Sequence, residues 1–277
     1  MQRQRVPQNL RESLLTFCKG RSMNKYEKIE AYLVQFLKDE VAKAGFSKVV
    51  LGISGGVDSA VVALLARQAF PNALLGLMLP ASTSSNASIE HASELCEKFG
   101  IRYEKISVGP LVDTYFNRHP DASKLRIGNF SARMRMSVLY DISARENALV
   151  LGTGNKSEIL LGYGTIFGDL ACAINPIGNL YKTEIFELAH HLGVPDSILN
   201  KAPSADLWED QSDEGEFGFT YAQIDKVLFA HIEEKKDKHA LIALGFEREL
   251  VEMTLNRIES NRFKGKLPTI ADLHSVK

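Results

Sequence analysis

The chain has 277 residues, of which 45% are hydrophobic and 24% charged, with a formal net charge of -1, an ordinary balance for a globular protein. That charge excludes the basic footprint of a nucleic-acid binder and gives no attraction to a membrane surface, and no apolar stretch approaches the roughly 20 residues needed to cross a bilayer. Three cysteines without CxxC spacing, Cys18, Cys96 and Cys172, fit a reducing, cytoplasmic setting rather than a disulfide framework.

Residues 1–22 are basic and poorly periodic and read as a leader or tag without order of its own. Met23 opens the first amphipathic segment, whose apolar stripe Ile29, Tyr32, Leu33, Phe36, Leu37 and Val41 predicts a helix over 26–44. A β-branched apolar run, 49–53, predicts a buried parallel strand, and 57–69 a helix free of Pro and Gly. Strands follow at 73–79, 101–106 and 148–151, with helices at 84–99 and 129–146 between them. This alternation predicts an α/β fold with a doubly wound parallel sheet. Beyond residue 160 the pattern becomes helical (182–192, 220–234, 247–260), separated by an acidic stretch and closed by a basic tail. No repeat or long linker divides the chain, so 23–277 is expected to form one domain with a helical C-terminal part.

Chemistry concentrates where strands run into Gly-rich loops. After the first strand the chain reads Ser54-Gly55-Gly56-Val57-Asp58-Ser59. Glycines let the backbone approach a ligand, and the following helix start offers N–H groups and a dipole to an anion. Asp58 is the misfit: a bare phosphate cradle repels a carboxylate, whereas one holding Mg²⁺ between carboxylate and phosphate needs it. The loop is neither a Walker A sequence nor a G-x-G-x-x-G fingerprint. A plain β–α turn would also use small residues, but all six positions match a pyrophosphate loop in the right strand–helix context. After the fourth strand comes Leu151-Gly-Thr-Gly-Asn-Lys-Ser-Glu158, whose Thr153 would face the same crevice and whose Glu158 could bring a second carboxylate to the metal.

Other polar groups carry less. Cys96 and Cys172 have no nearby base and read as packing residues, and His190-His191, late in a helix, reads as structural. The Arg133/Arg135 pair stands between ligand contact and a solvated face. The acidic run 209–216 reads as a mobile loop rather than a metal site, placed beside Ser204 so that it could close over a nucleotide.

The loop SGGVDS resembles the pyrophosphate loop of enzymes that cleave ATP between the α- and β-phosphates. Together with 129–136 (NFSARMRM), LGTGNKSE and the stretch 203–225 (PSADLWEDQSDEGEFGFTYAQID), it resembles the ammonia-dependent NAD synthetase family from about residue 26 to 268. The first motif is shared with GMP synthetase, argininosuccinate synthetase and tRNA-thiolating enzymes; the last segment is the specific one. The resemblance implies that Gly52, Ile53, Ser54, Gly55, Gly56, Val57, Asp58 and Ser59 hold the ATP phosphates, that Asp58 and Glu158 bind Mg²⁺, and that Thr153, Lys182 and Ser204 contact ATP. Asp58 and Lys182 would be the catalytic residues. Arg133 matches a contact to deamido-NAD, and Phe263-Lys264 falls on a His-Lys pair. Ile166 and Ala173 stand where several members have Lys and Asp, with Asp169 as a neighbouring substitute. A homodimer is implied, to which the helices 26–44 and 129–146 could contribute.

The implied reaction joins ammonia to the nicotinate carboxylate of deamido-NAD after that carboxylate has attacked the ATP α-phosphorus. A glutamine-hydrolysing version needs another, nucleophile-bearing domain, for which 277 residues leave no room, so free or partner-supplied ammonia is expected. Two rivals stay open. A tRNA-thiolating enzyme predicts a cysteine pair and a basic RNA surface, neither of which is present. A non-catalytic nucleotide sensor would have no need of Asp58, Glu158 and Lys182 together.

Overall fold

A computed structural model describes residues 23–204, 206–208, 211–266 and 270–274; the leader reading of 1–22 lies outside them. Helix α1 (Lys25–Lys43) begins at Asn24, whose side chain accepts from the backbone N–H groups of Tyr26 and Glu27 while Glu27 accepts from Asn24 N, a reciprocal cap that satisfies the helix start. Strand β1 (Val49–Gly52) leads through the Gly-rich loop into α2 (Val57–Ala69), followed by β2 (Leu74–Met78), α3 (Asn86–Phe99), β3 (Arg102–Lys105), α4 (Gly109–Phe116), α5 (Lys124–Glu146) and β4 (Leu149–Leu151). The four strands are parallel in the order β3-β2-β1-β4, with Val49 paired to both Leu74 and Leu149.

The expected doubly wound sheet is thus present. One core lies on the face covered by α1, α2 and α3 and gathers Leu37, Val41, Val49, Leu51 and Leu65; the other face holds Val50, Leu75, Leu77, Ile142 and Val150 beneath α5. Alternate residues of β1 therefore enter opposite cores. Helix α2 is apolar nearly all round because it sits between sheet and outer helices, and truncating a fully buried side chain there, such as Leu65, costs about 2–5 kcal/mol. β3 is one edge, and its exposed Arg102 and Lys105 and half-buried Glu104 guard it against pairing with another chain.

The C-terminal part comprises α6 (Lys156–Leu161), α7 (Lys182–Leu192), α8 (Asp196–Leu199), α9 (Asp213–Phe217), α10 (Tyr221–Ile232), α11 (Lys238–Ala243), α12 (Arg248–Asn261) and a 3₁₀ turn, Arg262–Gly265. A third core of Leu161, Phe217, Ile224, Leu228, Leu241 and Val251 joins them. α7 matches its expected span to the residue. α5 starts at Lys124 rather than 129, because Ser123 accepts from Arg126 N and caps it there. The short helices α4, α6, α8, α9 and α11 offer too few turns for a periodic signal. Among the described residues, no helix is long and apolar enough to cross a membrane.

Candidate active site

Strand order reverses between β1 and its neighbours β2 and β4, and the loops after β1 and β4 open side by side there, the place where α/β sheets bind ligands. A cavity of about 530 Å³ opens at this rim. Gly55 (φ +76°) brings the Gly-rich loop so close to α3 that a Cβ would run into the Ser88 backbone carbonyl, so no other residue fits. Ser59 Oγ donates to Gly56 O (3.0 Å) and accepts from Ser54 N (3.2 Å), and Gly56 N donates to Ser54 Oγ (3.2 Å). Both hydroxyls therefore shape the loop. Gly56, the N-cap of α2, has no side chain to satisfy the first-turn N–H groups, which leaves a helix start suited to an anion.

Four residues close a ring beside this loop. Lys182 Nζ, on the first residue of α7, donates to Asp58 Oδ2 (2.5 Å) and Glu158 Oε1 (3.2 Å). Asn155 Nδ2 donates to Asp58 Oδ1 (2.9 Å), and Asn155 N donates to Glu158 Oε2 (3.2 Å). Asn155 is completely buried and also caps α6, its Oδ1 accepting from Glu158 N (3.0 Å). It escaped the sequence reading, although an Asn three residues before a Glu at a helix start is a capping-box pattern. The aromatic ring of Tyr221 lies 5.3 Å from Lys182 Nζ, and the Tyr221 hydroxyl donates to Asp213 Oδ2 (3.1 Å).

Burial drives the titration of this group. It pushes Glu158 up to about 8, with the charge of Lys182 pulling the other way and Asp58 adding to the rise. Burial also works against charge on Lys182, but Asp58 and Glu158 outweigh it and hold the ammonium above its ordinary range. Asp213 is raised by burial, with Lys182, Tyr163 and Tyr221 opposing. Once ionised, Asp58, Glu158 and Asp213 around one lysine would carry an excess of negative charge, which suits a divalent cation between them and a phosphate. Among the described residues no group of three or more His, Cys, Asp or Glu side chains stands as a preformed metal cluster.

Of the expected residues, Gly52, Ile53, Ser54, Gly56, Asp58, Ser59, Thr153, Glu158, Asp169, Lys182, Ser204 and Lys264 line the cavity. Gly55 and Val57 do not: one is pressed against α3 and the other is buried in the core. Ser204 Oγ accepts from Asp206 N (3.0 Å). Lys264 Nζ donates to the carbonyls of Gly162 (2.8 Å) and Gly164 (3.1 Å), a turn that needs Gly162 at φ +62°, packed against Asn261. Asp169 Oδ1 accepts from Thr165 N (3.0 Å), and burial raises its carboxyl. Arg133, Ile166, Ala173 and Phe263 are absent from the lining: Arg133 Nε donates to Ile166 O (3.3 Å), Ala173 is exposed, and Phe263 is 59% exposed.

The two arginines of α5 separate because residues two apart face apart on a helix. Arg135 lines the cavity with Asn129, Ala132, Met136 and Leu139, donating to Leu79 O (2.9 Å) and Ser84 Oγ (3.1 Å). The acidic run expected to be a mobile loop is in part helix α9, with Asp213 buried at the site; Glu209 and Asp210 lie outside the described residues. His191 pairs with Glu30 (2.7 Å), and burial raises the Cys96 thiol to about 12, so both act structurally.

A parallel sheet with a Gly-rich anion loop, two carboxylates and a lysine at its switch point is the architecture of an ATP-cleaving nucleotide enzyme of the α/β class. The family model for NAD synthase matches residues 29–268, and the chain belongs to that family. The NH(3)-dependent NAD(+) synthetase of Wolinella succinogenes is 57% identical over 241 residues, 87% of this chain and 94% of that one; the one from Helicobacter pylori strain P12 is 52% identical over 89% of this chain and 96% of its own. Among solved structures, the NH3-dependent NAD synthetase of Campylobacter jejuni superposes with a TM-score of 0.78 at 39% identity, covering 90% of this chain and all of that one. The NMN synthetase of Francisella tularensis gives 0.81 at 33% identity with the same coverage.

Proposed function

We propose that the chain is a carbon–nitrogen ligase that amidates deamido-NAD to NAD with ATP and ammonia, releasing AMP and pyrophosphate. The observation that carries the proposal is the Asp58–Lys182–Glu158–Asn155 ring, set against an uncapped helix start at the sheet's switch point. A carboxylate is a poor acyl donor. The nicotinate carboxylate oxygen therefore attacks the ATP α-phosphorus, the α–β bridging bond breaks, and pyrophosphate leaves. Ammonia then attacks the acyl carbon, the amide forms, and AMP departs.

The N–H groups after Gly56 receive the phosphates, and Lys182 neutralises charge that develops on them; in phosphoryl transfer the protein acts mainly through such positioning and electrostatics. Asp58 and Glu158 would hold Mg²⁺, which when bound supplies charge neutralisation on the departing pyrophosphate. Thr153 and Ser204 complete the ATP side. Lys201 and Asp206 are tied to α3 through Ser88, which accepts from Lys201 Nζ (2.7 Å) and donates to Asp206 (2.9 Å), and we read these residues as part of a cover over the nucleotide.

Of the acceptor residues, Asp169 and Lys264 line the cavity itself, whereas Arg133, Ile166, Ala173 and Phe263 lie outside its lining. Arg133 shares one stripe of α5 with Phe130 and Tyr140. Tyr115 stacks on Phe130 at 4.7 Å, and Leu111, Tyr115, Leu125 and Tyr140 are exposed. This apolar face supports a homodimer in which Arg133, Ile166, Ala173 and Phe263 meet deamido-NAD near the interface. We treat 23–277 as one functional unit working in the cytoplasm.

The test is to incubate the protein with Mg·ATP, deamido-NAD and ammonium, and to run nicotinate mononucleotide as acceptor in parallel. NAD and AMP should form in equal amounts. ADP instead of AMP, or turnover without an acceptor, overturns the proposal, and preference for the mononucleotide moves the acceptor to the smaller molecule.

A further inference from the structure

Behind the ring lies a second layer that the reaction as derived does not use. Asp225, 5% exposed on the first turn and a half of α10, accepts three hydrogen bonds: from Ser157 Oγ on Oδ1 (2.5 Å), and from Thr183 N (2.9 Å) and Thr183 Oγ1 (2.8 Å) on Oδ2. Ser157 Oγ in turn accepts from Lys182 N (2.9 Å). Tyr181, the N-cap of α7, has no side-chain bond to that helix's first N–H groups. The orphan donors of Lys182 and Thr183 are thus satisfied from two other helices, α6 and α10.

We propose that Asp225 is a positioning residue for the adenylyl-transfer step, locking the first turns of α6 and α7 together so that Glu158 and Lys182 meet Asp58 in one fixed geometry. Ser157 adjoins Glu158 and Thr183 adjoins Lys182, so one carboxylate sets the backbone from which both ring members project. A buried carboxylate is an expensive way to join helices, and an apolar contact of similar volume can match its stability. What the carboxylate adds is direction: three donors aimed at two oxygens allow one arrangement of α6 against α7, whereas apolar packing tolerates sliding. The C-terminal helices, which supply α10, thereby act on the chemistry at the sheet rim without touching substrate. This proposal rests on the roles given above to Lys182 and Glu158.

The experiment compares Asp225→Asn, Ser157→Ala and Thr183→Val with Leu241→Ala, which opens the buried core shared with α10 and removes no hydrogen-bonding group. Each is measured for thermal midpoint, kcat, the KM values, and pyrophosphate release without ammonium. A displacement near 1 Å at a reacting group costs about 10²-fold. D225N is therefore expected to lose about 10²-fold in kcat and S157A about tenfold, with pyrophosphate release falling in parallel and KM for ammonium and deamido-NAD staying within about twofold. L241A is expected to lower the thermal midpoint and leave kcat per folded molecule unchanged. If D225N does not fold, S157A and T183V carry the same kcat-against-KM split. Losses in S157A and D225N no larger than in L241A, or losses that appear only as raised KM values, overturn the positioning role. Absence of NAD formation by the wild-type protein overturns the underlying function instead, so the two failures are distinct.

Discussion

At the sheet rim each carboxylate oxygen of Asp58 and Glu158 already has a donor, from Lys182 or Asn155. At the acceptor side, Arg133 reaches a backbone carbonyl outside the cavity, and Ala173 and Phe263 stand exposed. The proposed phosphate end is prebuilt within one chain, while of the proposed acceptor residues only Asp169 and Lys264 reach the cavity and the others lie outside it. The difference follows from the chemistry of each half. Stabilising charge in a phosphoryl-transfer transition state demands preorganised groups that need no rearrangement, whereas holding a large, flexible acceptor can wait for a covering surface.

The largest effect should come from breaking the prebuilt end. Asp58→Ala removes an acceptor from both Lys182 and Asn155 and one of the two carboxylates available to a metal. Loss of pyrophosphate release by about 10³-fold or more is expected, measured with saturating deamido-NAD and increasing Mg²⁺. Retained activity would remove the metal role from Asp58. Arg133→Ala attacks the other end and should do less. Its expected signature is a KM for deamido-NAD raised about tenfold with kcat nearly unchanged, the mark of lost uniform binding. If kcat fell as far as in the Asp58 variant, the two ends would not be separable.

The same contrast decides what was legible in the sequence. Strands β1 and β2 and helices α2 and α7 showed themselves because continuous apolar runs and 3.6-residue stripes report directly on burial. The Gly-rich loop was legible too, since Gly55 obeys a steric rule that any sequence reader can apply. Asp213 and Asp225 were not, because a polar residue in a helix looks solvated until its partners, 68 residues away for Ser157 and Asp225, are brought to it by the fold. Arg133 and Arg135 show the limit most sharply. Sequence places both on one helix, and only the packing of α5 against the sheet decides that Arg135 faces the cavity and Arg133 the other stripe. Short helices such as α9 hid for another reason: five residues are less than two turns, so the acidic run looked like loop.

The smallest effect is a pH signature of the prebuilt end, and it shows that this preorganisation carries a cost before ligand binds. Glu158 is raised from 4.5 to about 8, chiefly by burial. Between those values the unfolded chain has released a proton that the folded chain keeps, so the folded state binds more protons and stability falls as pH rises. The contribution levels off above about 8, where both states are ionised. Lys182 adds no slope there, because its raised range lies above 10.5 in the folded state and its unfolded value is 10.5. Asp169, Asp213 and Asp225 are also raised by burial, but they remain in any Glu158 variant, so the difference reports Glu158 together with its coupling to Asp213. Glu158→Gln should therefore gain thermal midpoint relative to the parent as pH increases from 4.5 to about 8 and hold that gain beyond, read by thermal unfolding of the ligand-free proteins across that range. A constant difference across the window would mean that Glu158 is solvated in the free protein and that the ring forms only around the nucleotide.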